Sequence, residues 1–373
     1  MMKQQLSTFI KDTVCCLTNY FPFVFCITVC LKADILIAIS YFLISVIFIP
    51  EINSKKMLPL LLSFIILGFN PEYALGASLV CGVLLVISSF YKDKLKQFVS
   101  SPFISGLMFS GALTTTILFT TDYFGIGATG GNVAEMIKSY ISLGFHPNWR
   151  GVLYGTIVLV IMITFPRKFK IFSQYVSPSF IALVFTLILN LFLNPPDMIS
   201  AVNELTVFDY SEYLSSRIGI IFDLKTLFLG LSLFIIYFYS VISEKDPKQK
   251  DFISCGIINV LFSGLYGIPI PCGIQNKLHK PLSKLTAIIF VCILYFVFSD
   301  YILRIPLHSC AVIVIVTAWN TVNWSEIKKQ FNGILPFSCF IITVLISLLA
   351  DLYFGVITAF VLSLCYSKTA IKK

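Results

Sequence analysis

One polar interruption in a strongly apolar chain contains residues that could bind a small ion. Residues 264–287 read GLYGIPIPCGIQNKLHKPLSKLTA. Pro269 and Pro271 are expected to end the preceding helix, because proline lacks an amide hydrogen and collides with the turn before it. The polar side chains that follow are Gln275, Asn276, Lys277, His279, Lys280 and Lys284. The stretch is either a solvated cytoplasmic loop or a broken membrane helix whose free amide groups bind a small anion.

The other reactive residue types form no catalytic or metal-binding pattern. The 11 cysteines are scattered through apolar runs without CxxC or Cys/His spacing, which is typical of small buried side chains. The three histidines, His146, His279 and His308, lie far apart and form no triad with a nucleophile. GATGGN at 127–132 lacks the Lys-Ser/Thr of a phosphate-binding loop and is interpreted as a turn. The sequence therefore predicts neither an enzyme nor a protein with a metal or cofactor.

Composition indicates a membrane protein. Of 373 residues, 57% are hydrophobic and 12% are charged, whereas a soluble domain carries roughly 25% charged residues. The mean hydropathy is +0.91. The net charge of +9 is spread over short loops, which indicates membrane topology rather than nucleic-acid binding.

Apolar runs predict about 13 to 14 transmembrane segments in an all-α polytopic protein. Most of the 27 Lys and Arg residues fall on one side if both termini are cytoplasmic, as the positive-inside rule requires. We therefore expect a multi-pass protein of the cell (inner) membrane with both termini in the cytoplasm. The runs fall near 17–31, 33–50, 57–69, 73–91, 103–121, 151–166, 178–194, 225–243, 252–269, 285–299, 305–321, 334–350 and 352–367.

Several motifs, taken in order, resemble one family. They are KADILIAISYFLISVIFIP at 32–50, VSSPFISGLMFSGAL at 99–113, DFISCGIINVLFSGLYGIPIP at 251–271, RIPLHSCAVIVIVTAWNTVNWSEIKK at 304–329 and ADLYFGVITAFVLSL at 350–364. Their order along the chain and their spacing are similar to those of the sulfate permease (SulP) family of anion transporters. The resemblance covers most of the chain, which would be a divergent member without the C-terminal STAS regulatory domain usual in that family.

The resemblance implies two inverted seven-segment repeats whose third and tenth segments are half-helices. Their N-termini would hold the anion with backbone amides and helix dipoles, which avoids burying many charges. The corresponding divisions are a cytoplasmic or interfacial stretch, a first repeat, an outside connection, a second repeat and a cytoplasmic tail. These fall at 1–16, 17–194, 195–224, 225–367 and 368–373.

Carried onto this sequence, the third segment starts at Met57-Leu58-Pro59 and the tenth near residue 272. The implied substrate-binding residues are Leu58, Pro59, Ser63, Gly273, Ile274, Gln275, Asn276 and Lys277. The expected function is secondary transport or exchange of small inorganic anions of the sulfate, bicarbonate or chloride class by alternating access. The expected partners are a small anion and the lipid bilayer, with a homodimer left open and no nucleic acid.

The eighth segment departs from the family pattern. The matching run at 227–243, LFLGLSLFIIYFYSVIS, lacks the membrane-embedded carboxylate that the family often uses with protons or Na⁺. This weakens symport and leaves exchange, uniport or a channel-like mode. Two alternatives remain on the same fold: a non-transporting or degenerate membrane scaffold, and, with less support, a nucleobase permease.

Overall fold

A computed structural model describes residues 2–32, 35–48, 54–96, 101–192, 220, 223–243, 247–266, 268–269, 281–302 and 305–371. These residues form helices and short turns, and none of them lies in a β-strand. The helices are α1 Met2–Cys30, α2 Ile35–Phe48, α3 Ser54–Gly68, α4 Ala74–Ser88, α5 Lys92–Lys96, α6 Ser101–Phe124, α7 Val133–Leu143, α8 Trp149–Lys168, α9 Pro178–Phe192, α10 Leu224–Ile242, α11 Gln249–Tyr266, α12 Pro281–Ile302, α13 Leu307–Asn320, α14 Trp324–Gln330, α15 Ile334–Leu349 and α16 Leu352–Ile371.

The expectation of an all-α membrane protein is confirmed. Within the described residues, four helices are long and apolar enough to cross a bilayer: Pro71–Ser88, Pro102–Phe124, Trp149–Lys168 and Leu224–Ile242. Helices α13 and α14, which meet at an angle of 56°, are together long and apolar enough to make a fifth if the pair crosses as one broken span rather than as a re-entrant loop. Several apolar helices are shorter, including Met57–Gly68 within α3. The division into two inverted repeats stays a prediction.

Close backbone contact joins α4, α10 and α11. A Cβ atom built on Gly82 of α4 would lie 2.7 Å from the carbonyl oxygen of Gly256 on α11, and the reciprocal distance is 2.6 Å. A Cβ atom on Gly230 of α10 would lie 2.5 Å from the Cβ of Val80 on α4. Small residues at such crossings allow membrane helices to gain dispersion contacts that larger side chains would prevent. The contact turns one face of α10 toward the protein interior.

Helix α6 packs against helices from both ends of the chain. A Cβ atom on Gly111 would lie 2.6 Å from Leu62 of α3, and one on Gly106 would lie 3.0 Å from Thr343 of α15. Near the bend between α13 and α14, the indole nitrogen of Trp319 donates to the Thr116 hydroxyl of α6 at 2.8 Å. Helix α6 therefore contacts both α3 and the C-terminal helices.

The connection between α6 and α8 contains an element that the apolar pattern did not predict. Helix α7 lies in this connection, just after the glycines of the 127–132 turn. The Asn132 side chain accepts a hydrogen bond from the Glu135 amide at 2.9 Å, and Glu135 accepts one from the Gly131 amide at 2.8 Å. These reciprocal bonds satisfy amide groups that a helix N-terminus leaves free. The glycine-rich turn therefore leads into a capped helix.

Candidate functional site

Helix α3 carries three of the predicted site residues. It begins at Ser54 rather than at Met57, so Pro59 lies in the second turn and the predicted start is wrong. A proline this close to a helix start removes only one early hydrogen bond, so the helix can extend further toward its N-terminus. Leu58 is buried, and the Pro59 carbonyl accepts a hydrogen bond from the Ser63 hydroxyl at 2.7 Å.

Ser63 connects α3 to α10. Its side chain is fully buried, and its oxygen lies 3.1 Å from the hydroxyl oxygen of Tyr237. A serine hydroxyl carries one proton, so Ser63 donates either to the Pro59 carbonyl or to Tyr237 at any moment. Both acceptors are within hydrogen-bonding distance of the Ser63 hydroxyl, so a rotation of the side chain can move its proton from one to the other without a change of backbone.

The carbonyl of Pro269 receives two tyrosine hydroxyls. Tyr237 of α10 donates to it at 2.5 Å, and Tyr41 of α2 donates to it at 2.7 Å. Helix α11 ends at Tyr266, as the prolines predicted, and Pro269 is itself buried. The hydrogen bonds therefore fix the chain in the protein interior at the point where residues 270–280 begin. Each bond contributes about 0.5–1.5 kcal/mol net, and an unpaired buried carbonyl would cost more.

Through Tyr237, the structure thus links Ser63 to Pro269, which lies just before the second half of the predicted site in the chain. Gly273, Ile274, Gln275, Asn276 and Lys277 lie outside the described residues.

The sequence analysis did not identify Tyr41 and Tyr237, because it examined residues 227–243 only for a carboxylate. One signal could have identified Tyr237. It shares a helix face with Gly230, which packs on α4, at a spacing of two turns. A tyrosine on the small-residue face of a membrane helix must bury its hydroxyl and needs a partner there.

The cluster around Ser63 is built from uncharged oxygen groups. It consists of hydroxyl and carbonyl groups on α2, α3, α10 and residues 268–269. Among the residues that the structure describes, no group of three or more His, Cys, Asp and Glu side chains could hold a metal ion.

Comparisons with known proteins agree with the motifs. The chain is 22% identical over 332 residues to YvdB of Bacillus subtilis, which is provisionally named a sulfate transporter, and the match covers 80% of this chain and 60% of YvdB. It is 24% identical over 330 residues to the bicarbonate transporter BicA of Picosynechococcus sp., covering 79% and 56%. The chain is therefore similar over most of its length to proteins named as sulfate and bicarbonate transporters. No protein-family model matches it.

Solved structures show that the chain has the fold of the transmembrane domain of a bicarbonate transporter. The transmembrane domain of a cyanobacterial BicA superposes with a TM-score of 0.64 at 16% identity, covering 96% of this chain and 97% of that one. The murine Slc26a9 anion transporter in its inward-facing state gives 0.64 at 12% identity, covering 98% and 68%. The chain spans about three fifths of the length of its curated relatives. Those relatives are named as transporters, not enzymes, and the chain is an integral membrane protein.

Proposed function

We propose that the chain is a secondary transporter or exchanger of small inorganic anions of the sulfate, bicarbonate or chloride class. Its curated relatives are named for sulfate and bicarbonate transport, and they match about four fifths of this chain. A small anion and the lipid bilayer are then its partners. The inner membrane, with both termini cytoplasmic, is the location that the distribution of basic residues favours.

We assign the anion to the space between the first turns of α3 and the segment that begins near residue 272. The observation that carries this assignment is the bridging position of Tyr237, which contacts Ser63 of α3 and donates to Pro269. The chain leading into 270–280 therefore starts from the interior beside α3. This favours a broken helix over a solvated loop. The carbonyl groups of a solvated loop would bond to water, whereas the Pro269 carbonyl accepts hydrogen bonds from two buried tyrosines.

The chemistry of this site would rely on neutral donors. A helix N-terminus presents free amide groups and about +0.5 of an elementary charge, which we expect from the segment that begins near residue 272. Helix α3 begins at Ser54, so Ser63 lies more than two turns inside it and contributes its hydroxyl group instead. Gln275 and Asn276 can donate side-chain amide hydrogens, and Lys277 supplies one full positive charge. Ser63 can turn its proton from the Pro59 carbonyl toward an anion at no cost in backbone geometry. Such a site holds an anion without binding it too tightly to release it.

The absence of a carboxylate from the described length of α10 favours exchange or uniport over cation-coupled symport. Helix α10, Leu224–Ile242, has Lys225 near its start as its one charged residue. Alternating access would then expose the α3 site first to one side of the membrane and then to the other. The competing proposal is a scaffold of the same fold that moves no substrate.

Flux measurements separate the two proposals. The full chain is purified and reconstituted in liposomes, and uptake of labelled sulfate, bicarbonate and chloride is followed with and without a Na⁺ gradient. We expect uptake of at least one anion, with uptake reduced by Lys277→Ala and by Gly273→Leu. Lys94→Ala is the matched control, because Lys94 is exposed on α5, and it should leave uptake unchanged. A folded, correctly inserted protein that moves none of the three anions would support the scaffold instead.

A further inference from the structure

A second cavity lies at the other end of α3, away from Ser63 and Tyr237. Its volume is about 30 Å³, counted as the space that the centre of a water molecule can occupy, and the cavity is partly open to the surface. The walls come from the end of α3 and the turn that follows, from α6, from the start of α7 and from the α15–α16 turn. The polar residues that line it are Asn70, Thr114, Asn132, Ser347, Asp351 and Tyr353.

The polar groups of this cavity offer oxygen atoms rather than hydrogens. The Ser347 hydroxyl donates its one proton to the Thr343 carbonyl at 2.8 Å, which leaves the lone pairs of its oxygen. The Asn70 amide nitrogen is directed to the Ile66 carbonyl at 2.8 Å, so its side-chain oxygen is the group left for a ligand. Asn132 is occupied in capping α7. A lining of this kind suits a cation better than an anion.

Thr114 supplies the observation that indicates a ligand. Its side chain is 2% exposed, lines the cavity, and has no hydrogen-bond partner for its hydroxyl among the described residues. Thr115 and Thr116, its neighbours on α6, both donate to carbonyls one turn earlier. A buried hydroxyl without a partner destabilises a protein, so an unexplained one marks a place where a ligand would be favourable.

Asp351 supplies charge. It lies half-buried in the turn between α15 and α16, and no other residue lining the cavity is an Asp, Glu, Lys or Arg. Burial raises the pKa of Asp351 above its usual value; Lys225 of α10 opposes this increase and Glu135 of α7 adds to it, while the Tyr353 hydroxyl lowers the pKa. A bound cation would offset the cost of placing this carboxylate out of water.

We propose that this cavity binds a monovalent alkali cation, with the Asp351 carboxylate as its charged ligand and neutral oxygens from Thr114, Ser347 and Asn70 around it. Hard cations prefer oxygen ligands. One carboxylate balances one positive charge, whereas a divalent ion would leave an excess buried positive charge. The site is separate from the Ser63 cluster, and its occupancy can be measured in detergent without any transport.

Thermal unfolding of the purified full chain tests the proposal. Tm is measured at increasing NaCl, with choline chloride holding the ionic strength constant. We expect a saturable rise of about 1–3 °C in Na⁺ over choline, because a ligand that binds only the native state raises Tm. Thr114→Val and Asp351→Asn should each abolish this difference.

Two control variants match these changes. Thr115→Val removes a buried hydroxyl that bonds within α6, and Asp93→Asn removes an exposed carboxylate on α5. Both should keep the Na⁺-dependent rise. The proposal is overturned if Tm is equal in Na⁺ and choline, if Thr114→Val keeps the full rise, or if Ca²⁺ raises Tm at lower concentrations than Na⁺ does. Thr114→Val decides the matter if Asp351→Asn does not fold.

Discussion

The two tyrosines on the Pro269 carbonyl allow a sharp test of how the chain around the proposed anion site is held. Tyr237→Phe removes a buried hydroxyl, but Pro269 keeps Tyr41 as a donor and Ser63 keeps the Pro59 carbonyl as an acceptor. Neither the Pro269 carbonyl nor the Ser63 hydroxyl is then left unpaired, so we expect a loss of only about 1 kcal/mol in the free energy of unfolding. Tyr41→Phe should cost a similar amount, because Tyr237 remains.

The double variant should behave differently. With both tyrosines replaced, the buried Pro269 carbonyl loses both of the donors that the structure shows, which adds an unsatisfied-acceptor cost of about 1–3 kcal/mol. The double-mutant cycle should therefore show coupling of that size, beyond the sum of the single changes. Thermal or denaturant unfolding of the four proteins measures it. Strictly additive effects would refute the shared-acceptor reasoning.

Transport adds a second readout. If Pro269 positions the anion-binding segment, the double variant should raise the KM for the transported anion by roughly tenfold for each 1.4 kcal/mol of lost positioning. Tyr239→Phe is the matched control on the same helix, because the donors that the structure shows on the Pro269 carbonyl are Tyr41 and Tyr237, not Tyr239. A double variant with reduced Tm and an unchanged KM would show that these bonds stabilise the fold alone.

Three further results are expected. Gly82→Leu should abolish expression of folded protein in a detergent gel-filtration assay, since a Cβ there already meets backbone at 2.7 Å, whereas Gly127→Ala, with open space around it, should not. Asn132→Ala should lower the free energy of unfolding by about 1 kcal/mol, seen as faster hydrogen exchange in α7, because the helix loses its N-cap. The Na⁺-dependent rise in Tm should shrink as pH falls, because protonation of Asp351 competes with the cation. Since burial raises the pKa of Asp351, this loss should begin at a higher pH than for an exposed aspartate; a rise that is constant down to pH 4 would contradict the assignment.

Local patterns in the sequence were sufficient to predict the helical architecture. Long apolar runs can be buried only as helices in a bilayer, because each backbone group must find its partner within the segment. The prolines at 269 and 271 predicted the end of α11, which falls at Tyr266. Helix α7 was missed although Asn132 and Glu135 form a readable capping pair, because the glycines at 127–132 indicated only a turn and no long apolar run follows them.

The site was less predictable than the helices. Ser63 was identified only because the family resemblance pointed to α3. In the chain, its partner Tyr237 lies 174 residues from Ser63, and Tyr41 lies 228 residues from Pro269, to which it donates. Such convergence depends on how helices cross, and crossing is decided by small residues such as Gly82 and Gly256 whose partners cannot be read from local periodicity.

The contact between Gly82 and Gly256 also limits how the protein can move. Helices α4 and α11 touch backbone to backbone there, and α10 lies against α4 through Gly230 and Val80. No side chain separates the two backbones where Gly82 and Gly256 meet, so we expect α4 and α11, with α10 packed on α4, to move together as one rigid body. Any hinge that serves transport then lies in the connections around this body, and Tyr237, which is carried by it, would pull on Pro269 when it moves.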